Sequence, residues 1–320
     1  MLLSNNLRLN SQDVSFSQFY SNPLYLNPSL AGVERDIRRI IINYRNQWPA
    51  TGKTYRTYCA SYDQYIEDLH GGVGFRFFND IQGNGTLMQY AMSLDYSYHL
   101  QVTRELSLNA GFEASFVQRS IKTGGFIFED MIDPSTGQVS IATSESYYSF
   151  NTAFPDFTVG FAGFYRNYYG GVSMAHLLKP YGSQSSDENS RIPRRITVFA
   201  GAFIPVYEKR LGKEVVQVNP NIIYQQQNSF SQLNYGVEGL IENQFVAGIW
   251  MRQNLGIRIN SLIFSGGYVT RSFRIRYSYD RHLSAPDVNL PVLGAHEISL
   301  IVTLGNVKKI KHRAIKCPKI

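Results

Sequence analysis

The sequence predicts an all-β fold, a transmembrane antiparallel β-barrel of about fourteen strands, with an irregular N-terminal plug or strap segment. Three observations predict it. Segments of about nine to sixteen residues alternate apolar and polar side chains almost from end to end. The connections between them alternate short and long along the chain. The composition is rich in aromatics, with 22 Tyr and 20 Phe, and poor in charge at 17%, against roughly 25% in a typical soluble domain. Tyrosine suits both strands and membrane interfaces. No run approaches the roughly 18 apolar residues of a membrane-spanning helix.

Residues 1–12 ("MLLSNNLRLNSQ") have no basic n-region and too short an apolar stretch for a signal peptide. They read as an unstructured remnant, with the export signal expected upstream. Residues 13–37 contain "QFYSNPLYLNPSLAG", in which Asn22-Pro23 and Asn27-Pro28 interrupt a greasy segment. Proline cannot donate to a ladder, so this stretch cannot join a strand interior. Its apolar side chains nevertheless need burial. The expectation is a segment folded back into the lumen as part of a plug, with Phe19, Tyr20, Pro23, Tyr25 and Pro28 as plug residues. The alternative is a periplasmic strap across the lower rim.

The barrel is expected over residues 38–307, in segments near 38–48, 55–66, 71–79, 86–100, 104–119, 154–166, 168–178, 192–206, 213–225, 230–242, 244–254, 257–270, 272–283 and 295–307. In "TLMQYAMSLDYSYHL", Met88, Tyr90, Met92, Leu94, Tyr96, Tyr98 and Leu100 point one way, and Gln89, Ala91, Ser93, Asp95, Ser97 and His99 the other. Period two over that length is a strand with one apolar and one polar face. A transmembrane strand needs about nine to eleven residues, and these suffice. If the first strand starts on the periplasmic side, the even connections are periplasmic and short ("EDLHG", "VT", "YEKRLG"). The odd ones hold the long stretches 120–153, 179–191 and 284–294. An outer-membrane barrel has this asymmetry. A soluble sandwich would not need it, and a propeller would show a blade repeat that is absent here. "GGVGF" at 71–75 reads as a turn and bulge.

In such a barrel the polar face lines the lumen. The lumen charges are Arg45, Asp95, Glu113, Glu238, Arg274 and Arg276, together with Arg39, Asp63, Arg119 and Asp280. Both signs occur, which fits ion pairs and a plug better than a channel selective for one sign. A lumen this wide is not filled by wall side chains alone. The six histidines are dispersed, and no Gly-x-Ser-x-Gly elbow, His-Glu-x-x-His or phosphate loop occurs. No catalytic residue, cofactor or metal is expected. The net charge of +7 comes from scattered arginines and a basic tail at 308–320, not from one basic face, so no nucleic-acid partner is expected. Cys59 and Cys317 lack metal-ligand spacing and leave one disulfide or two free thiols open.

The combination of "FSQFYSNPLYLNPSLAG", "INYRNQWP", "YCASYDQ", "GGVGFRFFNDIQGNG", "SLDYSYHL" and a closing "CPKI" resembles the PorP/SprF family of type IX secretion system outer-membrane proteins. The likeness runs from about residue 13 to the C-terminus. It implies an integral Bacteroidota outer-membrane barrel working with other type IX secretion components. The implied partner is a secreted cargo or adhesin, often of gliding motility, with a type B C-terminal domain. The barrel would assist its export or anchor it at the cell surface. Tyr147, Tyr148 and Phe150, in the aromatic "SESYYSF", are the expected partner contacts, because aromatics are enriched at protein interfaces. A passive outer-membrane porin or lipophile transporter is the alternative.

Overall fold

The computed structural model describes residues 13–35, 37–49, 54–122, 131–133, 136, 138–139, 150–182, 190–209, 213–255, 259–283 and 294–305. Its wall strands are β1 (Arg38–Gln47), β2 (Tyr55–Ile66), β3 (Gly71–Gln82), β4 (Leu87–Gln101), β5 (Leu106–Ile121), β6 (Phe150–Tyr165) and β7 (Tyr168–Ala175). They continue as β8 (Arg195–Ala202), β9 (Ile204–Lys209), β10 (Lys213–Gln227), β11 (Phe230–Ile241), β12 (Phe245–Asn254), β13 (Ile259–Val269), β14 (Phe273–His282) and β15 (Gly294–Leu304). Apart from β8 and β9, which do not pair with each other, each is antiparallel to its neighbours in chain order, β10 to β11 included, and β1 pairs with β15 from Arg38↔Leu304 to Gln47↔Ala295. The sheet therefore closes on itself.

β8 and β9 both pair with β10 and are two halves of one wall strand, so the barrel has fourteen. The break falls at Phe203. Its N–H donates to the Asn167 carbonyl in the β6–β7 turn, and its ring lies 5.2 Å from that of Tyr169. β6 begins at Phe150, four residues before its apolar alternation starts, because Asn151–Ala153 extend the ladder opposite Gln118–Ser120. Gly71–Gln82 pairs without a register shift on both sides, so the glycine cluster there is regular strand and not a bulge.

The alternation fixes which face is which. Leu94 is 65% exposed and Asp95 beside it 4%. Met92, Tyr96, Tyr98, Phe112, Phe161, Val206 and Phe264 likewise point outward, where lipid replaces water. Ser93, Asp95, Ser97, Asn109, Glu113 and Ser299 point inward. The inner face is not uniformly polar. Cys59, Phe78, Ala91, Val117, Phe154 and Ile192 form one buried apolar cluster, and Ala162, Phe164, Tyr169, Phe199, Ile223, Trp250 and Ile263 belong to another. Residues 13–35 supply the apolar partners of both.

Candidate functional site

The N-terminal segment is built from short turns that its prolines initiate. Pro23 opens a single helical turn, Pro23–Leu26, and Pro28 a 3-10 turn, Pro28–Leu30. Proline costs nothing at the first helical position, where its missing N–H would have had no partner. Asn27 caps the second turn, its Oδ1 accepting from the Ser29 N–H at 2.9 Å. Its Nδ2 donates to the carbonyls of Phe161 and Val172, 3.1 Å each, on β6 and β7.

Contact that close needs wall positions without a side chain. A β-carbon on Gly111 would meet the backbone of Pro28 and Ser29; one on Gly72 would meet Ala31. Around these slots Phe19 stands edge-on to Trp250 and Tyr20 stacks on it, with centroids 5.5 and 5.1 Å away. Tyr25 stacks on Phe78 at 5.6 Å. The Cys59 thiol is buried and free, next to Asn22; Cys317 lies outside the described residues.

The segment runs the length of the barrel. Asp13 meets His176, which follows β7, and Gln227, the last residue of β10; both adjoin the end that carries the long connections. Gly32 donates to Asp63 near the end of β2, and the Ala31 carbonyl lies 3.0 Å from the His99 ring, at the opposite end. From there the chain enters β1.

Ion clusters tie segment and wall together along the barrel. Towards the short-turn end, Arg39 makes a two-pronged contact with Asp63 (2.9 and 2.6 Å), and Glu34 bridges Arg39 at 3.4 Å and Arg274 at 3.0 Å. Arg276 pairs with Glu238 at 3.1 Å and lies over the Tyr20 ring. Arg76 pairs with Glu113 at 2.7 Å and donates to the Leu24 carbonyl. Towards the long-connection end, Arg45 meets Asp280 and Glu297 at 3.1 Å each, and Arg252 meets Asp280 at 3.0 Å. Ser17 and Gln18 donate their N–H groups to Glu297. Asp95 is buried opposite Glu113 in register, and neither of its carboxylate oxygens has a hydrogen-bond partner among the described residues.

Glu297, Arg252, Asp13 and His176 do not figure among the residues that the sequence points to. Glu297 is nonetheless legible in "AHEISLIV", where Ala295, Glu297 and Ser299 alternate with His296, Ile298 and Leu300. Asp13 and His176 carry no comparable local signal. His176 holds Asp13 through Nε2 and Asp156 through Nδ1, 2.7 Å each, and Arg195 reaches Asp13 at 3.2 Å. Burial opposes the charge on His176, but the two carboxylates outweigh it and push the imidazole up to about 9. Burial likewise opposes charge on Asp13, yet His176 and Arg195 hold its carboxyl far below the usual range.

A cavity of about 440 Å³ lies between the Asp13–Tyr25 stretch and β3–β7, at the same end. Tyr147 and Tyr148 lie outside the described residues; Phe150 is the first residue of β6.

A model of the type IX secretion system membrane protein PorP/SprF family matches residues 9–302 of the sequence. The chain belongs to that family. No curated protein matches it in sequence. Solved structures with similar folds are outer-membrane barrels. The Ralstonia pickettii toluene transporter TbuX is 10% identical, with a TM-score of 0.51, over 88% of this chain and 92% of that one. The Pseudomonas putida toluene transporter TodX is 12% identical over 92% and 94%, TM-score 0.48. The Acinetobacter baumannii protein Omp33 is 6% identical over 85% and 100%, TM-score 0.46. The family and the barrel fold together place this PorP/SprF protein of the type IX secretion system in the outer membrane.

Proposed function

We propose that this PorP/SprF barrel is a dedicated receiver for a secreted partner of the type IX pathway. It takes the partner's type B C-terminal domain at the long-connection end and either assists its export or holds it at the surface. The observation that carries this reading is the burial of residues 13–35 inside the barrel. Residues 13–35 are almost wholly buried, pinned at both ends and hydrogen-bonded to strands around the wall. In this reading the segment is a plug, and the working surface is the mouth formed by connections 122–149, 176–194 and 283–293. The aromatics Tyr147, Tyr148 and Phe150 are the proposed contacts there.

The test is deletion of residues 125–150 in cells, with the partner followed by surface labelling. The partner should appear in the medium; its retention on cells would remove this loop as the contact. A detergent pulldown of the native protein should bring down a large adhesin-like chain. The second reading, a porin or lipophile transporter, draws on the cavity beside the segment. It predicts a stable open conductance from the barrel reconstituted alone.

A further inference from the structure

The cavity at the long-connection end has an ordered wall. Asp80 on β3, Gln89 on β4 and Arg119 on β5 stand in one row, paired Asp80↔Gln89 and Gln89↔Arg119. All three face the cavity. The inward positions flanking Gln89 and Arg119 are Leu87, Ala91, Val117 and Ile121, and Phe78 lies beside Asp80. A polar row thus runs between apolar rows.

The other charges that line the cavity have partners: Arg76 with Glu113, and Arg195 and His176 with Asp13, the latter also with Asp156. The two ends of the row make no contact ion pair among the described residues, although Arg119 feels Asp13, Asp156 and Asp80 at longer range. Arg119 donates through Nε to Gln89 at 2.7 Å, and no carboxylate pairs with its guanidinium among the described residues. Asp80 accepts from the Thr57 hydroxyl and the Gln82 amide, 2.7 Å each, and no cation pairs with it among the described residues. A carboxylate offers about four acceptor sites, so two remain.

Two strand spacings, roughly 9.5 Å, separate the backbone positions that carry these charges. A peptide spans at most about 3.5 Å per residue, so three residues cover roughly 10 Å. A cavity of this size is within the range for small ligands. A carboxylate-only amphiphile would satisfy Arg119 but leave Asp80 unpaired. A zwitterion of matching length satisfies both.

We propose that the cavity is a binding site for a short apolar peptide with free ends, about three residues long. Arg119 takes its carboxylate in a two-pronged contact and Asp80 its ammonium. Phe78, Leu87, Ala91, Val117 and Ile121 cover its side chains. The proposal is independent of the secreted-partner reading, since it concerns a soluble ligand of the purified barrel.

Equilibrium dialysis of labelled trileucine against the barrel in nanodiscs tests it. Trileucine should bind saturably. N-acetylation or C-amidation should each weaken binding roughly tenfold or more. Arg119→Gln should weaken trileucine to the same extent yet leave the C-amide unchanged, and Asp80→Asn should behave in the same way towards the N-acetyl form. The capped peptides need no variant, so a variant that fails to fold leaves the test standing. Absent saturable binding, or equal binding of capped and free peptides, overturns the proposal. So does tighter binding of decanoate than of trileucine, which Asp80→Asn would then improve.

Discussion

The carboxamide of Asn27 occupies the space that a β-carbon on Gly160 would need. A strand residue on β6 is thereby matched to one capping side chain of the N-terminal segment, and the same carboxamide donates to carbonyls of β6 and β7. Gly160→Val should therefore unseat the segment without touching the outer face. A substitution that overfills such a site costs roughly 1–3 kcal/mol. Trp250 reports on the event, because Tyr20 stacks on it. In a Trp48→Phe background, the urea midpoint of Trp250 emission should fall, and a native-like midpoint would show that the slot is not needed.

Glu297 is the acceptor through which wall and segment share one charge cluster. It takes Arg45 and the N–H groups of Ser17 and Gln18. Glu297→Ala should cost about 3–5 kcal/mol, since breaking a buried pair strands its partner. That loss is shared by Arg45, left with Asp280 as its carboxylate partner, and by the Ser17 and Gln18 N–H groups, left without that acceptor. The double variant Arg45→Met, Glu297→Leu should thus cost less than the two single changes together, and additive losses would count against a coupled cluster.

His176 makes the long-connection end sensitive to alkali. Its folded-state pKa is raised, so its contribution is complete below about 6.5 and is lost as pH rises through about 9. Asp13 is shifted down, and its contribution is present above the ordinary 3.8 and lost only in strong acid. Between neutrality and about pH 10 the barrel should lose a few kcal/mol at most. The Asp13 end should become accessible to protease over the same range. His176→Gln should abolish the step; a step that persists in that variant belongs to other groups.

The wall is nearly all legible in the sequence, because lipid outside and polar groups inside impose period two on most strands. Met92, Leu94 and Tyr96 against Ser93, Asp95 and Ser97 carry that period in their order along the chain. The lumen-facing charges follow from the same parity. Their partners do not, since Arg45 finds Glu297 and Asp280 only when the barrel closes and brings residues 252 and 235 positions away to its side. Strands whose alternation fails carry a different signal, an inner face that needs an apolar partner. In "FVAGIWMRQN" the inner face carries Val246 and Trp250 ahead of Arg252, and Trp250 is where Phe19 and Tyr20 pack. The break at Phe203 is hidden because Ala202, Phe203 and Ile204 are all apolar and carry no turn residue.

The seam between β1 and β15 has a consequence for assembly. The segment enters β1 from the short-turn end and reaches Asp13 at the other, so it lies along the axis of the ring that β1 and β15 complete. Were the ring to shut first, residues 13–35 would have to be pulled through it lengthwise, shedding water from the partners of Arg39, Arg45 and Arg276 one after another. If the hairpins instead curl round the segment, those partners meet as the last pair of strands zips, and the cylinder is wrapped about its own leading chain.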